Sequence, residues 1–376
     1  VTSATRIATI AGIEIKLHVT FGLILVIGAI QWGIPHGARG AAFGAALMAA
    51  LFVCVVLHEL GHSLVAKAFG VPVKEIVLLP IGGVARMEKN PEKPVHELLI
   101  SVAGPLVNVG IAGVLFAAAG PSLEGASATD LAAKLKGAPS FETALLWLLA
   151  MNVMLFAFNM LPAFPMDGGR VLRAVLAMFL PFGAATRIAA GVGQVLALGL
   201  GVWGLLGGNL LLALIAVFVF LGAGQERAEE KARVVLATLR VGDAYNKNAI
   251  TLAPGDTIGR VVDHLLTSYQ PDFAVVQGGA LLGIVTRADV LKSLASETHD
   301  VYVTGVMKRD VPKIDASAPL ADARRLLQEK GERVAAVYRG DTYLGLVSLE
   351  DLAEALLVVA FRSGQEARRR AADSAP

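Results

Sequence analysis

Ala41-Ala-Phe-Gly-Ala-Ala-Leu-Met-Ala-Ala-Leu-Phe-Val-Cys-Val-Val-Leu57 runs without a charge into His58-Glu59-Leu60-Gly61-His62. Extended to Phe69, this stretch is long enough to cross a bilayer core of roughly 30 Å as a helix. Residues i and i+4 share one helical face, so both imidazoles can turn to a single metal ion, with the Glu59 carboxylate beside them as a proton acceptor. A charged side chain in such a helix costs about 2.5 to 3.5 kcal/mol to insert. Ionisable groups at that depth are rare and functional as a rule.

The whole chain of 376 residues is 55% hydrophobic with a net charge of +2. That is too apolar for an ordinary soluble protein and too long for one domain. Apolar windows predict about six membrane segments, at 19–33, 41–69, 98–119, 145–161, 188–206 and 210–221. Charges of both signs become frequent after residue 225. The reading is therefore a multi-pass α-helical membrane domain over 1–225, a linker over 226–240, an α/β region over 241–361, and a charged tail over 362–376 that is expected to be flexible. With an even number of spans both termini share one side. The positive-inside rule puts them in the cytoplasm with Lys74, Arg86, Lys89 and Lys93 of one loop and Arg170, Arg173 and Arg187 of another, against only Arg39, Lys134 and Lys136 opposite. No cleavable signal peptide is expected from the first 16 residues. The single cysteine, Cys54, excludes an internal disulfide and a Cys-x-x-Cys metal site. It reads as a packing residue.

Between the second and third segments, Val71 to Pro80 and Ile81 to Glu88 are strand-like around a Gly-Gly turn and predict a small β hairpin, whose edge could hold a peptide in extended form. The soluble region repeats itself: 250–290 aligns without a gap on 312–352, offset by 62, so that Gly283-Ile-Val-Thr286-Arg-Ala-Asp289 recurs as Gly345-Leu-Val-Ser348-Leu-Glu-Asp351. Each copy, about 241–298 and 303–361, reads helix, strand, turn, strand, helix. This resembles a CBS-domain pair. That resemblance implies that Thr286, Asp289, Ser348 and Asp351 face the ribose and phosphate of ATP, ADP or AMP, and that two pairs associate as a homodimer.

Two histidines leave a catalytic zinc site one protein ligand short. Among downstream acidic residues only Asp167 sits in a comparably apolar setting, within Asn159-Met-Leu-Pro-Ala-Phe-Pro-Met-Asp-Gly-Gly-Arg170. Pro162 and Pro165 stop the helix there, and such a break inside a bilayer is tolerated only around a cavity or within protein. The Glu59-flanking histidines, Gly104-Pro105 with Asn108, and the Asn159 to Gly168 stretch stand in the order that marks the site-2 protease family of intramembrane zinc metalloproteases, which the chain resembles over nearly its whole length, in the branch with cytoplasmic CBS domains. The resemblance implies one catalytic Zn²⁺ on His58, His62 and Asp167, Glu59 as general base, Asn159 holding substrate or oxyanion, and transmembrane segments of other proteins as substrates. Gly104, Pro105 and Asn108 are read as helix-packing residues. No nucleic-acid partner is expected. Two other classes share parts of the pattern: a CBS-regulated membrane metal or ion transporter, which calls for more intramembrane polar groups, and an inactive protease-like scaffold, which does not call for a complete ligand set with Glu59.

Overall fold

A computed structural model describes residues 4–80, 82–87, 91, 93–123, 127–135, 137–268, 270–296, 300–359 and 361. Ile81, Glu88, Lys89, Lys136 and the tail 362–376 lie outside the described residues. The chain divides into two compact units, Val1–Ala228 and Glu229–Pro376.

In the first unit, β1 (Ala4–Ile10) and β2 (Ile13–His18) precede α1 (Phe21–Ala68), followed by β3 (Val73–Leu79), β4 (Gly82–Met87), α2 (Pro94–Leu123), the short α3 (Ala128–Leu135), α4 (Phe141–Asn159), α5 (Asp167–Ala177), α6 (Phe182–Leu206) and α7 (Leu210–Thr238), which runs past the unit boundary. Among the described residues, five helices, α1, α2, α4, α6 and α7, are long and apolar enough to cross a membrane. The 48-residue α1 is two spans rather than one, because its backbone leaves the helical region at Gly37, where φ is 65°. A left-handed φ of this kind is open to glycine at no steric cost. The two halves fold against each other through small residues: a methyl on Gly44 would overlap the Gly28 carbonyl, and one on Gly33 would press on Ala41. The six apolar segments expected from the sequence are thus present.

The hairpin is larger than expected. β1 and β2 pair antiparallel, β2 runs parallel to β3 with Glu14 opposite Glu75, and β3 pairs antiparallel with β4, giving the order β1-β2-β3-β4. Ile13, Ile15, Ile76 and Leu78 from its inner face pack on Leu60 and Ala66 of α1 and Ile100 of α2. The alternation of Ile13 and Ile15 with Glu14 and Lys16 is the period of a strand with one buried face. The sheet therefore abuts the motif end of α1, with β1 and β4 as its two edge strands.

The second unit repeats one fold. α8 (Val241–Ala244), β5 (Thr251–Leu252), α9 (Ile258–Thr267), β6 (Asp272–Gln277), β7 (Ala280–Thr286) and α10 (Arg287–Ser296) are echoed by α11 (Val303–Val306), β8 (Lys313–Asp315), α12 (Leu320–Lys330), β9 (Val334–Arg339), β10 (Thr342–Ser348) and a closing helix over 349–359. Each three-stranded sheet places its middle strand parallel to the first and antiparallel to the third. Ala274 and Ile284 of one copy meet Ala336 and Leu346 of the other in a single apolar cluster. These are equivalent positions at the 62-residue offset, so the copies meet about a local two-fold.

Candidate metal centre

Leu60 is buried in the sheet core, and this turns the opposite side of α1 toward α2 and α4. His58 and His62 lie on that side, 5% and 6% exposed. The two helices come close because small residues face each other. A Cβ on Gly61 would fall 2.8 Å from Val107 and 3.0 Å from the Ala103 carbonyl, and one on Gly104 would overlap the His62 ring at Nε2. Gly104 is thus the space that the His62 imidazole occupies.

Asp167 arrives from the far end of the chain. α4 ends at Asn159, and the chain then turns through Met160–Met166 by backbone bonds from Leu161 N–H to the Phe158 carbonyl and from Met166 N–H to the Ala163 carbonyl. The loop folds back on the first turn of α5 so tightly that a Cβ on Gly169 would lie 2.6 Å from Ala163 and Phe164 backbone atoms. Hence two glycines follow the aspartate. Asp167 opens α5, where the helix dipole favours a carboxylate.

The three predicted ligands converge. His58 Nε2 is 3.1 Å from His62 Nε2, which is 3.1 Å from Asp167 Oδ2, and His58 Nε2 is 3.2 Å from the same oxygen. Among the described residues these are the three metal-capable groups that come together. Bonds of roughly 2.0 to 2.1 Å in a tetrahedron put donor atoms about 3.3 Å apart. The observed triangle fits that spacing closely. The outer ring nitrogens decide what the inner ones carry. His58 Nδ1 lies 2.5 Å from Asn108 Oδ1 and His62 Nδ1 lies 2.6 Å from the Ile100 carbonyl, so each Nδ1–H donates to an acceptor. Both Nε2 atoms then present lone pairs, and Asp167 adds a third to the same point. Three unprotonated donors 3 Å apart repel one another unless a cation lies among them, so this donor set fits a divalent metal.

The polar chain continues. Asn108 Nδ2 donates to Asn152 Oδ1 at 3.1 Å, and Asn152 Nδ2 donates to the Leu148 carbonyl at 2.9 Å and toward Cys54 Sγ at 3.5 Å. Asn108 and Asn152 are fully buried. Asn108 orients the His58 ring as well as packing, and Asn152 went unread in the sequence, although an uncharged amide within an apolar span was the signal for it. Cys54 packs as expected and adds a weak acceptor.

Glu59 and Asn159 line the same cavity as His58, His62 and Asp167, with Gly82, Gly83, Ala85, Phe158, Pro165, Arg170 and Phe218 also on its wall; its volume is about 470 Å³. A Cβ on Gly83 would lie 2.5 Å from Glu59 Cγ, so the β4 backbone closes on the glutamate. Arg173, read from the sequence as a loop charge, is instead a buried residue of α5. In the second unit, the Thr286 hydroxyl donates to Asp289 at 2.6 Å while the Asp289 N–H returns a bond to it at 3.2 Å. Ser348 and Asp351 repeat this at 2.8 and 3.1 Å. Both pairs cap the helix that follows them. His18 bonds Thr20 at 2.7 Å, and His96 stacks on Phe69; neither joins the centre.

Comparison with known proteins bears on the family of the chain. The model of peptidase family M50 matches residues 46–200, and the CBS-domain model matches 241–296 and 303–358. A zinc metalloprotease of Methanocaldococcus jannaschii is 35% identical over 351 residues, covering 93% of this chain and 98% of its own length. Rip3 of Mycobacterium tuberculosis is 28% identical over 96% of this chain and 94% of its own. The solved site-2 protease from M. jannaschii is 44% identical, covers 60% of this chain and 95% of its own, and superposes with a TM-score of 0.43. The chain belongs to peptidase family M50, the site-2 proteases, in the form that joins a membrane-embedded metalloprotease to a C-terminal CBS pair.

Proposed function

We propose that the enzyme is a zinc-dependent endopeptidase that cuts transmembrane segments of other proteins, with His58, His62 and Asp167 as ligands, Glu59 as general base and Asn159 as oxyanion donor. The observation that carries this is the convergence of three lone-pair atoms within 3.2 Å of one another beside a carboxylate, between helices apolar enough to span a membrane. When bound, zinc acidifies water and polarises the scissile carbonyl. Glu59 takes the proton of the attacking water and hands it to the leaving nitrogen. Asn159, at the end of α4, donates a hydrogen bond to the oxyanion, a contribution worth about 3 kcal/mol where the donor is preorganised.

A helical substrate hides its carbonyls in intrahelical bonds and must unwind before it reacts. β4 suits the unwound form: it is an edge strand of its sheet, and Gly82, Gly83 and Ala85 line the cavity, so an extended segment can pair with its outer side. The charge distribution supports an orientation in which the N-terminus, the metal centre and the CBS pair share the cytoplasmic side. The test is cleavage of transmembrane peptides by the full chain in detergent or bilayer discs. Chelation is expected to abolish cleavage and zinc to restore it; undiminished cleavage by metal-free protein would refute the reading.

The CBS pair is proposed to take an adenine nucleotide that regulates the peptidase. Its support is the recurrence of a hydroxyl and a carboxylate at equivalent places, Thr286 with Asp289 and Ser348 with Asp351. Titration of the full chain with ATP, ADP and AMP is expected to saturate in the micromolar range. Absence of saturable binding up to millimolar nucleotide contradicts it.

A further inference from the structure

Arg173 is 8% exposed, and all three of its guanidinium nitrogens are engaged. Nε and Nη2 both donate to Glu97 Oε1, at 2.8 and 2.5 Å, and Nη1 donates to Glu226. The rings of Phe164 and Phe182 each lie 5.0 Å from the guanidinium carbon. One side chain on α5 therefore touches α2, the loop before α5, the start of α6, and α7.

Two of these elements bear directly on the triangle: α5 carries Asp167, and α2 carries the carbonyl that holds His62 of α1. Glu97 stands one turn before Ile100, whose carbonyl holds His62 Nδ1. Phe164, fully buried, belongs to the loop that delivers Asp167, and its neighbour Pro165 packs so closely on α7 that a Cβ on Gly222 would lie 2.6 Å from the proline ring. Glu226 follows Gly222 by one turn. A buried ion cluster is weak evidence for stability, because desolvation offsets most of its attraction, whereas it does specify one geometry among several apolar packings. Helices that are apolar on every side have little else to set their rotation.

We propose that Arg173 is a positioning residue for the metal centre, holding Asp167 at its distance from His62 through Glu97 and making that distance depend on α7 through Glu226. The inference rests on the reading of His58, His62 and Asp167 as zinc ligands. Glu226 is the arm by which α7, which continues to Thr238 shortly before the CBS pair begins, bears on the ligand set.

The test is zinc affinity of the detergent-solubilised full chain, measured by competition with a chromophoric chelator well below the melting temperature, with kcat and KM on a transmembrane peptide read in parallel. Arg173→Met is expected to weaken zinc by about 10- to 100-fold, the usual effect of removing a group that orients ligands. Glu226→Ala should weaken it less and lower kcat with little change in KM. Arg173→Lys, which keeps the charge without the planar fork, should fall between wild type and Arg173→Met. If Arg173→Met does not fold, Arg173→Lys and Glu226→Ala decide. Zinc affinities within threefold of wild type in the folded variants, with only the melting temperature lowered, overturn the proposal. Failure of the wild type to bind zinc would instead remove the ligand assignment beneath it.

Discussion

Glu59→Gln lowers kcat by roughly 10²- to 10⁴-fold, the span attributed to a positioned general base, and leaves zinc bound at wild-type occupancy. The two halves of this expectation come from different observations. Occupancy holds because the proposed ligands are His58, His62 and Asp167, the two histidines held from behind by Asn108 and the Ile100 carbonyl, and Glu59 is outside their triangle. The rate falls because an amide of the same shape fills the space beside Gly83 but accepts no proton. KM should change little, since the glutamine leaves the cavity wall and the β4 edge as they are. The variant should therefore bind substrate without turning it over, and substrates should co-purify with it from the cells that make the protein. Zinc content by atomic absorption and single-turnover cleavage measure the two halves separately. Wild-type cleavage by Glu59→Gln would remove Glu59 from the chemistry, and loss of zinc together with rate would make it a ligand rather than a base.

Features whose spacing is periodic or whose chemistry is out of place were legible in the sequence. His58 and His62 stand one helical turn apart, Asp167 is an acid in an apolar stretch behind two helix-stopping prolines, and the two CBS copies align at a constant offset. The rest depends on how apolar helices rotate about their axes. In a soluble helix an amphipathic stripe tells which side faces inward, but α4 is apolar all round, and Phe141 and Met154 are exposed on the same helix that buries Leu146. No pattern in it announces that Asn152 faces Asn108, or that Asn108 faces His58. The same holds for Arg173, whose charge suits a loop by count while its buried place follows from Glu97 and Glu226, 76 residues before it and 53 after it. The parallel pairing of β2 with β3 was unread for a related reason. The alternation at Ile13 to Lys16 was visible, but its partner lies on the far side of the whole of α1. The break between the first two spans was legible, but not that it turns at Gly37 with the two halves folded back on each other.

Gly104→Ala is expected to reduce zinc affinity by more than 100-fold in a protein that still folds, an effect opposite in sign to the usual one. Replacing glycine by alanine inside a helix ordinarily stabilises by about 1 kcal/mol. At position 104 the added methyl would overlap His62 at Nε2, the atom turned toward Asp167, and would lie 2.6 Å from both neighbouring ring carbons. The ring cannot swing away freely, because His62 Nδ1 is held by the Ile100 carbonyl on the same helix that carries the new methyl. Either that bond breaks and the imidazole rotates, or α1 and α2 separate, and separation is resisted on α1 by the contact of Gly61 with Ala103 and Val107. Each route moves one corner of a triangle whose sides are about 3 Å, and a displaced ligand leaves two donors where a zinc site needs three. Gly110→Ala on the same helix is the control: nothing lies within 4 Å of a Cβ there, so helix propensity alone acts and zinc binding should be unchanged. Chelator competition on both variants, with helix content and melting temperature recorded alongside, separates the alternatives. Zinc binding by Gly104→Ala within threefold of wild type would mean that the close approach of α2 to His62 does not govern the centre, and that the reading of Gly104 as the space for the ligand ring is wrong.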